Sequence, residues 1–230
     1  DDLLSKGWSP LQILNSNFKF YRYEQIIRSA FLNIKISSMP LRRPLYTEYH
    51  FGESGSGKTY SYIEVCKEFG KENVYLFTDF DNNASGGLDN YIMEGAPKVV
   101  FMDEFKGMGI SYSKLLVMLN EYPKMQTHSR YKNTYNLWEK FYITSIYSPE
   151  ELYDVMVSTT VQKVDSYEQL RRRIKKVVYH YKNNKGEYAT YAMDGKDYID
   201  REDLLARIGD NVASDGFKKI DNRIEVNCPF

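Results

Sequence analysis

The residues of this 230-residue chain that could do chemistry concentrate in three short stretches. The first, Gly52-Glu53-Ser54-Gly55-Ser56-Gly57-Lys58-Thr59, satisfies G-x-x-x-x-G-K-[ST] at every fixed position. Glycines let such a loop take positive φ and approach a ligand closely, so that amide N–H groups at a helix start face a phosphate. Lys58 then reaches the terminal phosphates of a nucleotide, and the Thr59 hydroxyl helps to hold Mg²⁺. The second stretch, Val99-Val100-Phe101-Met102-Asp103-Glu104, is an apolar run that ends in two acids. Asp103 suits Mg²⁺, directly or through water, and Glu104 suits the polarising of an attacking water. Two acids favour hydrolysis, as of ATP, over phosphoryl transfer to an acceptor. The third stretch, Phe141-Tyr142-Ile143-Thr144-Ser145, ends in two hydroxyls. Ligands of open α/β sheets lie outside the carboxyl ends of the strands, which places Thr144 or Ser145 to touch a γ-phosphate or the lytic water.

The intervening sequence supplies elements able to hold these residues. Leu45 to Phe51 has strand composition, Lys58 to Phe69 is helical and closed by Gly70, and Val74 to Thr78 is a short apolar run of the buried-strand kind. Val99 to Met102 predicts another strand, Tyr112 to Tyr122 a helix, Phe141 to Ser145 a strand, and Ser148-Pro149 the start of a further helix. Strands alternating with helices imply an α/β fold with a parallel sheet covered on both faces. Residues 1–44 read as helices: Ser9-Pro10 fits an N-cap followed by proline, and Ile26, Ile27, Ala30, Phe31 and Ile34 recur at helical spacing. Pro40 and Pro44 then break the helix and mark a boundary. The polar and aromatic segment from Lys124 to Lys140 fits a β-hairpin, Val177 to Tyr181 a strand, and Asp197 to Ile208 a helix.

Composition narrows the function classes. With 42% hydrophobic and 27% charged residues the chain has the profile of a folded globular protein rather than a disordered or fibrous one. No apolar run is long enough to span a bilayer and no secretory leader is visible, so an intracellular protein without a membrane partner is expected. Cys66 and Cys228 are far apart and show no metal-ligand spacing. The 31 basic and 31 acidic residues cancel, which argues against coating nucleic acid by bulk charge. The balance is uneven, however: Lys163, Arg171, Arg172, Arg173, Lys175, Lys176, Lys182 and Lys185 form a basic band, and from Glu187 to the end ten acidic residues stand against six basic ones.

The order of the motifs resembles one family: the superfamily 3 helicase domain of replication-initiator (Rep) proteins from circular single-stranded-DNA viruses and related rolling-circle plasmids. GESGSGKT, VVFMDEFKG, LLVMLNEYPKMQTHSRYKN, ITS with SPEELY, and YEQLRRRI carry the resemblance, over about residues 45 to 183. It implies an AAA+-like P-loop motor that assembles as a homo-oligomeric, hexameric ring, hydrolyses ATP with Mg²⁺ between subunits and moves 3′ to 5′ on single-stranded DNA. It divides the chain into a helical oligomerisation collar over 1–44, a P-loop ATPase over 45–183, and a hairpin, helix and acidic tail of unassigned role over 184–230.

Residue roles carry over by position. His128, Arg130, Tyr131 and Lys132 match a hairpin that grips DNA in the ring channel, and their mixture of cations and an aromatic ring suits a single strand. Arg172 and Arg173 match an arginine finger acting on the neighbouring subunit's nucleotide, with Arg171 shifted by one. Two features depart from the family pattern. Ile146 occupies a position where the family commonly has a sensor Asn, which leaves that role to Thr144 or Ser145 or makes hydrolysis slow. The metal-binding histidine pair of a Rep nicking domain is missing from His50, His128 and His180, and the chain starts at Asp1, so it is expected to be a motor without its N-terminal nuclease, located in a bacterial cytoplasm or a host nucleus. Two other readings of the same residues are a monomeric P-loop kinase and an assembly module in which nucleotide binds with little turnover.

Overall fold

A computed structural model describes residues 2–79, 86–122, 126–127, 134–183 and 186–209. The chain opens with α1 (Asp2–Ser5), α2 (Pro10–Ser16) and α3 (Glu24–Ser37). Then come β1 (Tyr46–Gly52), α4 (Tyr60–Phe69), β2 (Val74–Phe77), β3 (Val99–Met102) and α5 (Tyr112–Met118). A small ribbon of β4 (Gln126–Thr127) and β5 (Thr134–Tyr135) precedes β6 (Lys140–Ser145), α6 (Pro149–Met156) and α7 (Tyr167–Arg171). The hairpin β7 (Lys176–Lys182) and β8 (Tyr188–Asp194) leads to α8 (Arg201–Gly209).

Local chemistry sets many of these boundaries. Ser9 and Ser148 each cap a helix, with Gln12 and Glu151 closing reciprocal capping boxes and Pro10 and Pro149 in the first turn. Gly70 ends α4 at φ 84°, a backbone angle that disfavours a side chain. Helix α5 stops at Met118, short of the expected Tyr122, because Asn120 Oδ1 accepts from the Tyr122 amide and turns the chain. Helix α8 starts at Arg201 rather than at Asp197, where the Asp200 carboxylate accepts from the Asp203 amide and caps it.

The main sheet has the order β2-β3-β6-β1-β7-β8, parallel except for the antiparallel edge strand β8. The expected α/β architecture with a mostly parallel sheet between helices is therefore present. β1 lies at its middle, between β6 and β7. One face packs against α4 through Val65, Val74, Val99, Phe101 and Tyr142. The opposite face carries the larger core, in which Tyr49, Phe51, Val100, Phe141, Ile143 and Tyr179 meet side chains of α3, α5, α6 and α7. Removing such apolar surface from water contributes roughly 25 cal/mol per Å² and is the main term that closes the sheet between its helices.

The N-terminal helices pack on this body in cis: Leu11 donates its amide to Met93 O at 2.9 Å, Ile13 and Leu14 are buried, and Phe31 joins the main core. They also leave Phe18, Ile26 and Ile34 exposed. The expected division at 183/184 cuts through the β7–β8 hairpin. β8 completes the sheet and Leu204 of α8 is fully buried in the main core, so residues 186–209 pack as part of the same body. Among the described residues no helix is long and apolar enough to cross a membrane.

Candidate functional site

The three chemical stretches converge at one edge of the sheet because β1, β3 and β6 are parallel and adjacent there, so their carboxyl ends lie side by side. Gly52 ends β1 where the chain enters the loop. A Cβ at that position would lie 2.1 Å from the His180 carbonyl oxygen, so the strand–loop junction admits glycine alone. Gly55 and Gly57 take φ of 73° and 88°, the left-handed conformation that such a loop requires.

Inside the loop, Lys58 is buried and its Nζ donates to the carbonyls of Gly52 at 2.9 Å and Glu53 at 2.7 Å. Burial lowers the Lys58 pKa, against the opposing influence of Glu104 and Asp103. The lysine thus rests on two neutral carbonyls close to two carboxylates. Ser56 Oγ is buried in the same loop without a hydrogen-bond partner. Glu53, Ser54, Gly55 and Thr59 are exposed at the rim.

Thr59 at the start of α4 places Oγ1 3.5 Å from Asp103 Oδ1. The same carboxylate oxygen accepts from Thr144 Oγ1 at 2.6 Å, and that hydroxyl in turn accepts from the Glu104 amide at 2.8 Å. Thr144 therefore ties both acids to the end of β6. Glu104 stands at φ 54°, a left-handed angle that costs a non-glycine residue about 1 kcal/mol or more, and its side chain is exposed. The Thr144 bond helps to hold that backbone. Residues in strained backbone held by their surroundings cluster at functional sites.

The two hydroxyl candidates separate by strand alternation. Thr144 pairs in register with His50 of β1 and shares the α4 side of the sheet, where the loop lies. Ser145 turns to the other side: it is fully buried, donates to Phe105 O at 2.6 Å and accepts from the Tyr147 amide at 3.1 Å. These bonds shape the turn after β6, so among the two hydroxyls Thr144 is the one bonded to Asp103. Ile146 follows half-buried.

Arg172 and Arg173 are not brought to this edge. They precede β7 at the opposite end of the sheet, beside a cleft lined by Leu45, Leu119, Tyr122 and Lys175. Lys175 donates its amide to Thr47 O, and from Thr47 to Gly52 the strand runs roughly 17 Å at about 3.3 Å per residue. Neither arginine can reach the loop of its own chain. Arg173 donates to Gln169 O and its pKa is lowered by burial and by Arg172, whereas Arg172 is exposed. Arg171 is engaged at home, donating to Tyr198 O at 3.2 Å and Lys196 O at 3.1 Å. The expected DNA-contacting residues His128, Arg130, Tyr131 and Lys132 lie outside the described residues. On either side of them, β4 and β5 pair antiparallel with Gln126 opposite Tyr135.

Behind the loop lies a buried polar chain not anticipated from the sequence. His50 Nδ1 is 2.8 Å from His180 Nε2 and 3.2 Å from Ser61 Oγ of α4, and His50 Nε2 lies 3.1 Å from Glu48 Oε1. Lys176 Nζ and Tyr46 OH also donate to Glu48, at 3.0 and 2.8 Å. Burial raises the Glu48 pKa, but contacts with His50 and Lys176 outweigh it and hold the carboxyl at about 2. Burial, with His50 and Lys58 adding to it, pushes His180 down to about 3, so the ring is neutral at pH 7. The signal available in the sequence was the alternation of Glu48 and His50 along β1; His180 is brought in by β7, far along the chain.

The donor set suits a phosphate with a divalent cation. The loop offers an unpartnered hydroxyl, a lysine on neutral carbonyls and glycines in left-handed conformation, while Thr59 and Asp103 place a hydroxyl and a carboxylate side by side. Among the described residues no group of three or more His, Cys, Asp or Glu could hold a metal by itself. The Thr59 hydroxyl beside the Asp103 carboxylate could hold Mg²⁺, which takes one or two carboxylates together with water and substrate phosphates. No protein-family model matches the chain, and no curated protein matches it.

Proposed function

We propose that this chain is an ATP-hydrolysing motor domain of the superfamily 3 helicase type, working on single-stranded DNA in a ring of identical copies. The observation that carries the reading is the convergence of Lys58, Thr59, Asp103, Glu104 and Thr144 at one carboxyl edge of the sheet, with Thr144 bonded to both acids' residues. The loop's amides and Lys58 bind the phosphates of ATP, Lys58 exchanging its two carbonyl partners for phosphate oxygens. Thr59 and Asp103 would hold Mg²⁺, which supplies charge neutralisation to the phosphates. Thr144 keeps Asp103 pointed at that position. Glu104, exposed beyond the end of β3, takes a proton from water as its oxygen attacks the γ-phosphorus and the bond to ADP breaks.

Arg172 and Arg173 fit this scheme as groups that act on another copy's nucleotide, since the length of β1 separates them from their own. The exposed Phe18, Ile26 and Ile34 of the N-terminal helices are the surface assigned to contacts between copies. The 128–132 segment, carried between β4 and β5, is assigned to DNA.

The test is ATP turnover as a function of protein concentration, with and without single-stranded DNA. Lys58→Ala is expected to lose turnover, and Glu104→Gln to bind ATP while turnover falls by about 100-fold or more. Turnover per chain should rise with concentration and again with DNA. Normal turnover in both variants would refute the site. ATP binding without turnover at any concentration would leave the assembly-module reading, and phosphoryl transfer by a DNA-indifferent monomer would leave the kinase reading.

A further inference from the structure

Tyr188, the first residue of β8, lies against the phosphate loop. A Cβ built on Gly57 would sit 3.4 Å from Tyr188 Cδ1 and 3.8 Å from Cε1, so the Cδ1–Cε1 edge of the ring lies beside the glycine just before Lys58. Much of the residue is open to solvent: Tyr188 is 65% exposed. Its cross-strand partner Lys182 holds Nζ 5.0 Å from the ring centroid, within range of a cation–π contact.

Next to this pair, Asn183 and Glu187 are bonded across the hairpin. The Asn183 amide donates to Glu187 O at 2.9 Å, the Glu187 amide donates to Asn183 Oδ1 at 2.9 Å, and Asn183 Nδ2 donates to Glu187 Oε2 at 2.8 Å. Gly186 turns the chain at φ 78°. An exposed aromatic ring held in this way is not a core contact. It is a flat apolar surface and a cation presented beside a phosphate-binding loop.

We propose that Tyr188 is the stacking platform for the base of the nucleotide, with Lys182 holding the ring in place, and that the ligand is a purine nucleoside triphosphate. The inference rests on the proposed binding of nucleotide phosphates by the loop. Stacking accepts any base with a π face and favours the larger purine surface, so the platform selects purine over pyrimidine without reading a hydrogen-bond pattern. Tyr188 is a positioning residue: it touches the base, and the phosphate chemistry belongs to the loop and the acids.

The experiment is equilibrium titration of the purified chain with ATP, CTP and inorganic triphosphate, for the wild type, Tyr188→Phe and Tyr188→Ala, with thermal unfolding of each as a check on folding. Tyr188→Ala is expected to weaken ATP by roughly 10-fold or more while leaving inorganic triphosphate unchanged, and Tyr188→Phe to bind ATP as the wild type does. The wild type should bind ATP more tightly than CTP, and Tyr188→Ala should reduce that preference. Unchanged ATP affinity in Tyr188→Ala overturns the platform, as does an equal loss for ATP and inorganic triphosphate, which would make the ring a support for the loop. Wild-type protein that binds neither ATP nor inorganic triphosphate refutes the phosphate-loop reading itself, and the platform with it.

Discussion

Replacing Thr144 with Val keeps the volume of a fully buried side chain and removes one hydroxyl. Two hydrogen bonds go with it: the 2.6 Å bond donated to Asp103 Oδ1 and the 2.8 Å bond accepted from the Glu104 amide. The first is charge-assisted and would contribute about 1.5–3 kcal/mol. Asp103 is half-exposed and recovers part of this from water, so the lower end applies. Leaving the Glu104 amide unpaired adds about 1 kcal/mol, because that residue is already in left-handed backbone. The expected loss is about 2–3 kcal/mol, read in urea as a midpoint displaced by roughly 1 M at unchanged slope. Thr144→Ser keeps the hydroxyl and loses one buried methyl, an expected loss of about 1 kcal/mol. In the ATP turnover proposed above, Thr144→Val should fall by about 10- to 100-fold, the usual effect of removing the group that orients a carboxylate proposed to hold the metal, and Thr144→Ser should stay near the wild type. Thr144→Val as stable and as active as Thr144→Ser would refute the argument that this hydroxyl holds the two acids.

The buried histidine gives a pH dependence of definite sign. His180 is held down to about 3, below the ordinary value near 6.5, so the unfolded chain binds a proton that the folded chain refuses. Its contribution is intact above pH 6.5 and is lost as pH falls toward 3, at up to about 1.4 kcal/mol per pH unit. Glu48, held at about 2, adds a loss of the same sign below pH 4.5. Urea midpoints measured from pH 7 to pH 4 should fall more steeply for the wild type than for His180→Gln; parallel curves would contradict this account. The three adjacent arginines should also separate: Arg171→Ala is expected to lose about 2 kcal/mol through its bonds to Tyr198 O and Lys196 O, and Arg172→Ala to stay within about 0.5 kcal/mol of the wild type. Equal losses in thermal or urea unfolding would show that the assignment of Arg171 to structure and Arg172 to the surface is mistaken.

Local features of the site were legible because they need only near neighbours. The loop after β1 declares itself through glycines whose backbone angles few other residues take, and through a lysine and threonine at fixed offsets from them. Ser9-Pro10 and Ser148-Pro149 announced their helices because a cap bonds to amides within three residues. Apolar runs marked β3 and β6 because strands buried on both faces carry little alternation, and β2, at the sheet edge, keeps an apolar run even though Leu76 is exposed. The same lack of alternation hid which of Thr144 and Ser145 faces the loop. Both are polar, both are fully buried, and the choice depends on which side of the sheet α4 occupies.

From its sequence alone this chain was determined to be α/β, with a glycine loop, a lysine and a pair of acids at strand ends. Such patterns arise from backbone geometry and hydrophobic burial acting over a few residues. Tertiary structure alone decided the rest: the strand order β2-β3-β6-β1-β7-β8, the hydroxyl that orients the acids, the burial of His180 against His50, and the closeness of Tyr188 to Gly57. Each of these joins residues tens of positions apart or more. Which strand lies beside which follows from the packing of two whole sheet faces against their helices, a sum over many weak contacts that no short stretch of sequence contains.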